Sequence, residues 1–278
     1  MAFDKTQDAY LRLRGIVTER TRPVMIWCGA GLSVPAGIPD WSRLRQTLTA
    51  ALRRKASGLD REAGMTTTAA ADAIEKEPGP WVAFERLEAA LGRTTFIDVI
   101  REALRPASSA AIPPTYPLLW QLRPAGVLNL NLDKLATRAY YEVNGSRHLT
   151  EFNSKNVGPN TIALQGLHPF VYNLHGTHED SNSWVLTHDR LQMLRRDQGY
   201  KNFIAGVLST HVVVFLGLSA EDVAVGGHLE RLAVAGIDTG PHYWLSSRAD
   251  LATDKWAEAN GIRLIPYRTT DGSHTELT

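Results

Sequence analysis

The sequence contains a single cysteine, Cys28, in 278 residues. One thiol cannot close an intrachain disulfide, nor can it supply a Cys-rich structural zinc site, which takes several thiolates or a mixed Cys/His set. Long apolar runs are missing as well, since none reaches the roughly 18 residues that a bilayer-spanning helix requires. The opening MAFDKTQDAYLRLRGIVTER is charged throughout and lacks the apolar segment and small-residue cleavage site of a secretory signal. The expected address is therefore the cytoplasm, with no membrane partner. Excess charge of either sign is absent too: 30 Lys plus Arg stand against 29 Asp plus Glu, and this balance gives no reason to expect direct nucleic-acid binding. A local basic stretch (Arg43, Arg45, Arg53, Arg54, Lys55) reads as the solvated face of an amphipathic helix.

What is present is the composition of an ordinary globular chain, 44% hydrophobic and 21% charged, long enough to bury a substantial core. RPVMIWC (22–28) is a short apolar run bounded by Pro and Gly, as in a buried parallel strand. Strand character recurs in GVLNLNLD (126–133), PFVYNLHG (169–176), HVVVFLGLS (211–219), HYWLSS (242–247) and IRLIPY (262–267). Helical stretches such as KLATRAYYEV and AEDVAVGGHLERLAVAG separate several of these. Such alternation predicts an α/β fold, a Rossmann-like parallel sheet flanked by helices. Between the first two strands, Ala-rich segments of helical period broken at PGP predict an inserted helical subdomain over about 44–125. We expect residues 1–278 to form one nucleotide-binding domain. The closing SHTELT, where Ser273 could cap a helix barely begun, suggests that the domain continues into, or pairs with, another.

The first strand runs straight into Gly29-Ala30-Gly31. A strand, a glycine turn and a helix place backbone N–H groups and a helix N-terminus against a phosphate, and glycine allows the backbone to approach closely. The spacing lacks the third glycine of the dinucleotide fingerprint, and the Arg-rich stretch about twenty residues on offers no acid for a ribose hydroxyl. A standard dehydrogenase is disfavoured.

The continuation, GAGLSVPAGIPDW, resembles the nucleotide-binding signature of the sirtuins, with Gly29, Ala30, Gly31, Ser33, Gly37, Ile38, Pro39, Asp40 and Trp41 in register. Three further stretches agree in the family's order. NLNLDKLATRAY resembles the segment with an Asn and an Asp two apart, here Asn131 and Asp133. VYNLHGTHEDSNSWVLTHDRL resembles the His-Gly segment, here His175 and Gly176, followed by a "VLT" typical of the bacterial NAD-hydrolysing branch. VVVFLGLSAEDVAV resembles the strand ending in Gly217 and Ser219, which in the family lies against the adenosine half of NAD.

The resemblance implies cleavage of the nicotinamide–ribose bond of NAD+, which is substrate here, with no metal. Asn131 and His175 would be catalytic, with Asp133 supporting the Asn loop or a ribose. Gly29, Ala30, Gly31, Ser33, Ile38, Pro39, Asp40, Trp41, Gly217 and Ser219 would hold the dinucleotide. Without the motif, Asn131 and Asp133 would read as backbone-turning residues and Cys28 as packing. His168, His178 and His188 lie near His175, but not at the i, i+4 spacing of a ligand pair. One cysteine cannot build the zinc module of protein-deacylating sirtuins. The chain therefore looks more like the sirtuin-type effectors that deplete NAD in bacterial anti-phage abortive infection. Such effectors work as oligomers or with a sensor or activator, for example an Argonaute-type protein, a motor ATPase or a cyclic-nucleotide-sensing domain. The alternatives are NAD-dependent ADP-ribosyl transfer or deacylation, and a non-catalytic NAD or ADP-ribose sensor.

Overall fold

A computed structural model describes residues 3–155, 164, 168–218, 227, 229, 239–247 and 250–268. Seven parallel strands form one sheet in the order β3-β4-β2-β1-β5-β6-β7. They are β1 (Val24–Cys28), β2 (Gly126–Asn129), β3 (Thr150–Asn153), β4 (Phe170–Asn173), β5 (Val212–Leu216), β6 (His242–Ser246) and β7 (Ile262–Pro266). The described residues also hold ten helices: α1 (Asp8–Glu19), α2 (Trp41–Ser57), α3 (Arg61–Glu75), α4 (Pro80–Leu91), α5 (Arg93–Leu104), α6 (Thr115–Gln121), α7 (Leu135–Asn144), α8 (His188–Arg196), α9 (Gln198–Thr210) and α10 (Leu251–Ala259). The Rossmann-like α/β arrangement expected from the alternating pattern is the one formed.

Both faces of the sheet are covered, which is why its strands read as continuous apolar runs. Alternate residues of β1 enter opposite cores. Ile26 and Cys28 face the layer of α2, α4, α5, α6 and α7, whereas Met25 and Trp27 face α8 and α9 through Leu191, Leu194, Phe203, Ile204 and Val207. Five helices, α2 to α6, lie between β1 and β2. Their breaks follow the sequence: Gly58 ends α2, Asp60 caps α3, Pro80 opens α4, and Gly92 at φ +84° separates α4 from α5.

The basic stretch forms much of α2, as expected, but it is less free than a solvated face. Arg53 pairs with Asp72 and Glu75 at 2.8 and 2.6 Å, and Arg45 and Lys55 donate to the carbonyls of Glu77 and Ala90.

The second strand ends at Asn129, four residues short of the predicted run, because the Asn129 side chain folds the following loop back on itself. Edge strand β3, TEFN, carries too little apolar character to stand out in the sequence, and its residues are only partly buried. Ser219, most of the predicted helix AEDVAVGGHLERLAVAG, and the closing SHTELT with Ser273 lie outside the described residues. No helix among the described residues is long and apolar enough to cross a membrane.

Candidate active site

The strand order reverses direction at β1, since the chain fills the β2 side first and the β5 side afterwards. In an open parallel sheet the crevice beyond the carboxyl ends of strands at such a point is the expected binding place. Every candidate residue that falls among the described residues follows the carboxyl end of β1, β2, β4 or β5.

The glycine turn does a job that differs from the expected phosphate cradle. Gly29 N–H donates to the Leu216 carbonyl at 2.9 Å and Gly31 N–H to the Gly217 carbonyl at 3.0 Å, so the turn is clamped onto the end of β5. A Cβ on Gly29 would lie 2.5 Å from the Gly217 oxygen and one on Gly31 3.0 Å from the Gly217 Cα, while Gly217 itself sits at φ +64°. The glycines are needed for loop-on-loop contact, and two of the amides expected to face a phosphate are already spent. Among the described residues the Ala30 N–H alone of these three is left without a protein acceptor.

Beyond the turn, Ser33 and Ile38 are buried, and Gly37 takes φ +77° to redirect the chain. Asp40 caps α2, accepting from Arg43 N–H at 2.8 Å, and Trp41 begins the helix.

After β2 the loop Leu130–Asp133 is held from within. The Asn129 amide donates to the carbonyls of Asn131 and Asp133 and to Asn173 Oδ1, and its own Oδ1 accepts from Asn131 N–H. Asp133 is fully buried, and its Oδ1 accepts from Leu135 N–H at 3.0 Å, which starts α7. Burial raises the Asp133 carboxyl above its usual range, opposed by the Ser33 hydroxyl and the Leu135 amide. The Asp133 carboxyl thus ties the end of this loop to the start of α7.

The Asn131 amide nitrogen donates to the Gly29 carbonyl at 3.0 Å and to Ser33 Oγ at 2.9 Å, with the Tyr116 hydroxyl at 3.4 Å. Ser33 Oγ and Tyr116 Oη are 2.8 Å apart. Burial holds the Tyr116 phenol well above its ordinary pKa, so it stays protonated. The Cys28 thiol beneath the turn is pushed up by burial as well and is inert.

His175 follows β4. Its carbonyl accepts from Val185 N–H, and Gly176, at φ +91°, lies so close to Ser183 that a Cβ would run into that residue's carbonyl. The imidazole is 1% exposed and stands edge-on to Trp81 and Trp41, with ring centroids 5.2 and 6.2 Å away. Burial lowers its pKa to about 4, only partly offset by the Leu130 carbonyl, and Nδ1 has no hydrogen-bond partner. At neutral pH the ring is an uncharged acceptor.

A cavity of about 40 Å³ joins much of this set: Ala30, Ser33, Ile38, Pro39, Asp40, Trp41, Asn131 and Asp133 all line it. Gly29, Gly31, His175 and Gly217 do not. Trp41 both lines the cavity and meets the imidazole. The volume suffices for a few waters and falls far short of a dinucleotide. No group of three or more potential metal ligands occurs among the described residues.

Sequence reasoning did not find Tyr116, Trp81, Asn129 or Asn173. Asn129 and Asn173 close their strands at matched register, and an Asn at two strand ends was the signal that could have found them. Tyr116 and Trp81 sit on the helices before β2, far from any motif.

The family model described as "SIR2-like domain" matches residues 125–265, half of the chain. It spans Asn131, Asp133, His175 and Gly217, and leaves out the Gly29–Trp41 stretch. No curated protein matches the chain.

Proposed function

The chain belongs to the SIR2-like family, and from that premise we propose that it is an NAD+ glycohydrolase, cleaving NAD+ to nicotinamide and ADP-ribose. Nicotinamide leaves as a neutral molecule from a cationic pyridinium, so no general acid is needed, and the transition state is oxocarbenium-like as in other glycoside cleavage. The protein has to hold the ribose, tolerate positive charge and deliver water. Asn131 supplies the positioning: with its amide nitrogen committed to Gly29 and Ser33, its carbonyl oxygen is the end left to accept from water or a ribose hydroxyl. Uncharged His175 accepts the proton from that hydroxyl or from the water. Asp40 and Trp41 take the nicotinamide side, and Ala30 N–H a phosphate.

The observation that carries the reading is the pairing of an oriented Asn131 amide and an uncharged His175 after adjacent parallel strands of a SIR2-like domain. The small cavity supports a further part of it. NAD+ enters only when Trp41 and Trp81 move off His175, which suits an effector held silent until an oligomer or a sensor partner opens it, as in anti-phage abortive infection.

The test is NAD+ consumption by the chain at raised protein concentration, with Asn131→Ala and His175→Ala alongside and products identified by mass spectrometry. Nicotinamide and free ADP-ribose from the parent, and from neither variant, is the expected result. Appearance of ADP-ribose only on an acceptor protein would establish transfer instead, and tight NAD+ binding without turnover under every assembly state would establish a sensor.

A further inference from the structure

The geometry points to Tyr116 as the positioning residue that fixes which end of the Asn131 amide faces the cavity, through its hydrogen bond to Ser33. The inference rests on the proposed role of Asn131.

An asparagine side chain is nearly symmetric in shape, and its two orientations differ only in which end donates. Catalysis of the proposed kind needs the acceptor end outward. The Gly29 carbonyl, a pure acceptor 3.0 Å from the amide nitrogen, favours that orientation but engages only one of its two hydrogens. The second points at Ser33 Oγ, 2.9 Å away. A serine hydroxyl can donate as readily as it accepts, so Ser33 resists the flipped amide only when its own proton is committed elsewhere, and the buried Asp133 carboxyl draws that proton in part.

The Tyr116 hydroxyl, 2.8 Å from Ser33 Oγ, completes that commitment when it is the donor of the pair. It is buried, protonated and 3.4 Å from the Asn131 nitrogen. As a donor to Ser33 it makes Oγ the recipient, and Asn131 meets an oxygen whose own proton is directed away from it. A flipped Asn131 would bring Oδ1 against the Gly29 carbonyl, with two acceptors in contact and a donor facing the site. Tyr116 stands in the first turn of α6, so the helical layer enters the site by setting a proton direction as well as by covering it.

Tyr116→Phe keeps the ring and its packing and deletes only the hydroxyl. With NAD+ as substrate, kcat should fall roughly five- to tenfold, the equivalent of one hydrogen bond, while KM stays within about twofold. Tyr140→Phe is the control: its part-buried hydroxyl bonds the His148 carbonyl at 3.0 Å away from the site, so it should lose one hydrogen bond of stability with kcat unchanged. A Tyr116→Phe enzyme with parental kcat, or one whose loss is matched by Tyr140→Phe, overturns the proposal. A second measurement keeps the question apart from the fate of the hydrolase reading. The Asn131 side-chain NH2 protons, followed by NMR in the chain without NAD+, should be slowly exchanging in the parent and exchange faster in Tyr116→Phe. Equal exchange in the two overturns the positioning role even if the enzyme cleaves NAD+, and a loss of protection upholds it even if it does not.

Discussion

His175 provides a stability test that needs no substrate. The folded ring titrates at about 4 because burial disfavours the imidazolium, whereas in the unfolded chain it titrates near the ordinary value of about 6.5. Between these values the unfolded state binds a proton that the folded state refuses, so stability rises with pH across the window. The contribution is fully present above about pH 6.5 and is lost progressively as pH falls toward 4. At pH 5 the unfolded imidazole is almost wholly protonated and the folded one only about a tenth so. Linkage then makes the native state about 2 kcal/mol less favourable at pH 5 than at pH 7. His211 is lowered by burial and by Arg22 and acts with the same sign, so the total slope cannot be assigned to one ring. The comparison with His175→Gln isolates it. Urea unfolding of both proteins at pH 7 and pH 5 should show the parent losing about 2 kcal/mol more than the variant over that interval. Losses that agree within roughly 0.5 kcal/mol would refute the claim that the native fold holds this imidazole uncharged.

Four other substitutions probe separate parts of the same construction. Trp81→Ala removes the ring edge-on to His175 and should cost about 3–5 kcal/mol; in the folded fraction, NMR titration should find the imidazole pKa raised from about 4 toward its ordinary value, and an unmoved pKa would show that Trp81 is no shield. Gly29→Ala drives a methyl to 2.5 Å from the Gly217 carbonyl, so thermal unfolding should report a loss of about 1–3 kcal/mol or more, and a variant as stable as the parent would contradict the clamped turn. Asp40→Ala deletes the cap on α2 and should cost about 1 kcal/mol in urea unfolding, a loss that Asp40→Asn, itself a good cap, should largely avoid. Arg53→Ala breaks two half-exposed ion pairs and should change stability by less than about 1 kcal/mol, fading further in high salt.

The sheet was legible in the sequence because a strand covered on both faces is apolar along most of its length, as β1, β2, β4 and β5 are, while β6 and edge strand β7 keep enough apolar residues to stand out. Edge strand β3 was not, since no residue of TEFN is fully buried and only Phe152 is apolar. The motif residues were legible because each follows the carboxyl end of a strand, where a short loop keeps chain neighbours together in space. Tyr116 and Trp81 were hidden for the opposite reason. They reach Asn131 and His175 across 15 and 94 positions of chain, by helix packing whose register no local pattern records. The glycine turn was legible as a close approach but not as to its partner, because a missing Cβ looks the same whether a phosphate or another backbone fills the space.

The polar residues after β2 and β4 are buried more completely than their chemistry favours. Asn129, Asp133, Asn173 and His175 are all within the core, and burying such groups is costly unless each atom is bonded. The fold satisfies Asn129 fully, through four bonds that shape the Asn loop. It leaves Asn173 Nδ2 and His175 Nδ1 without partners. Asp133 Oδ2 is unpaired as well, so the unpaired atoms gather beside a fully bonded hub at the carboxyl ends of β2 and β4. The indoles of Trp41 and Trp81 stand edge-on to His175, so these two rings help to keep that imidazole dry and uncharged.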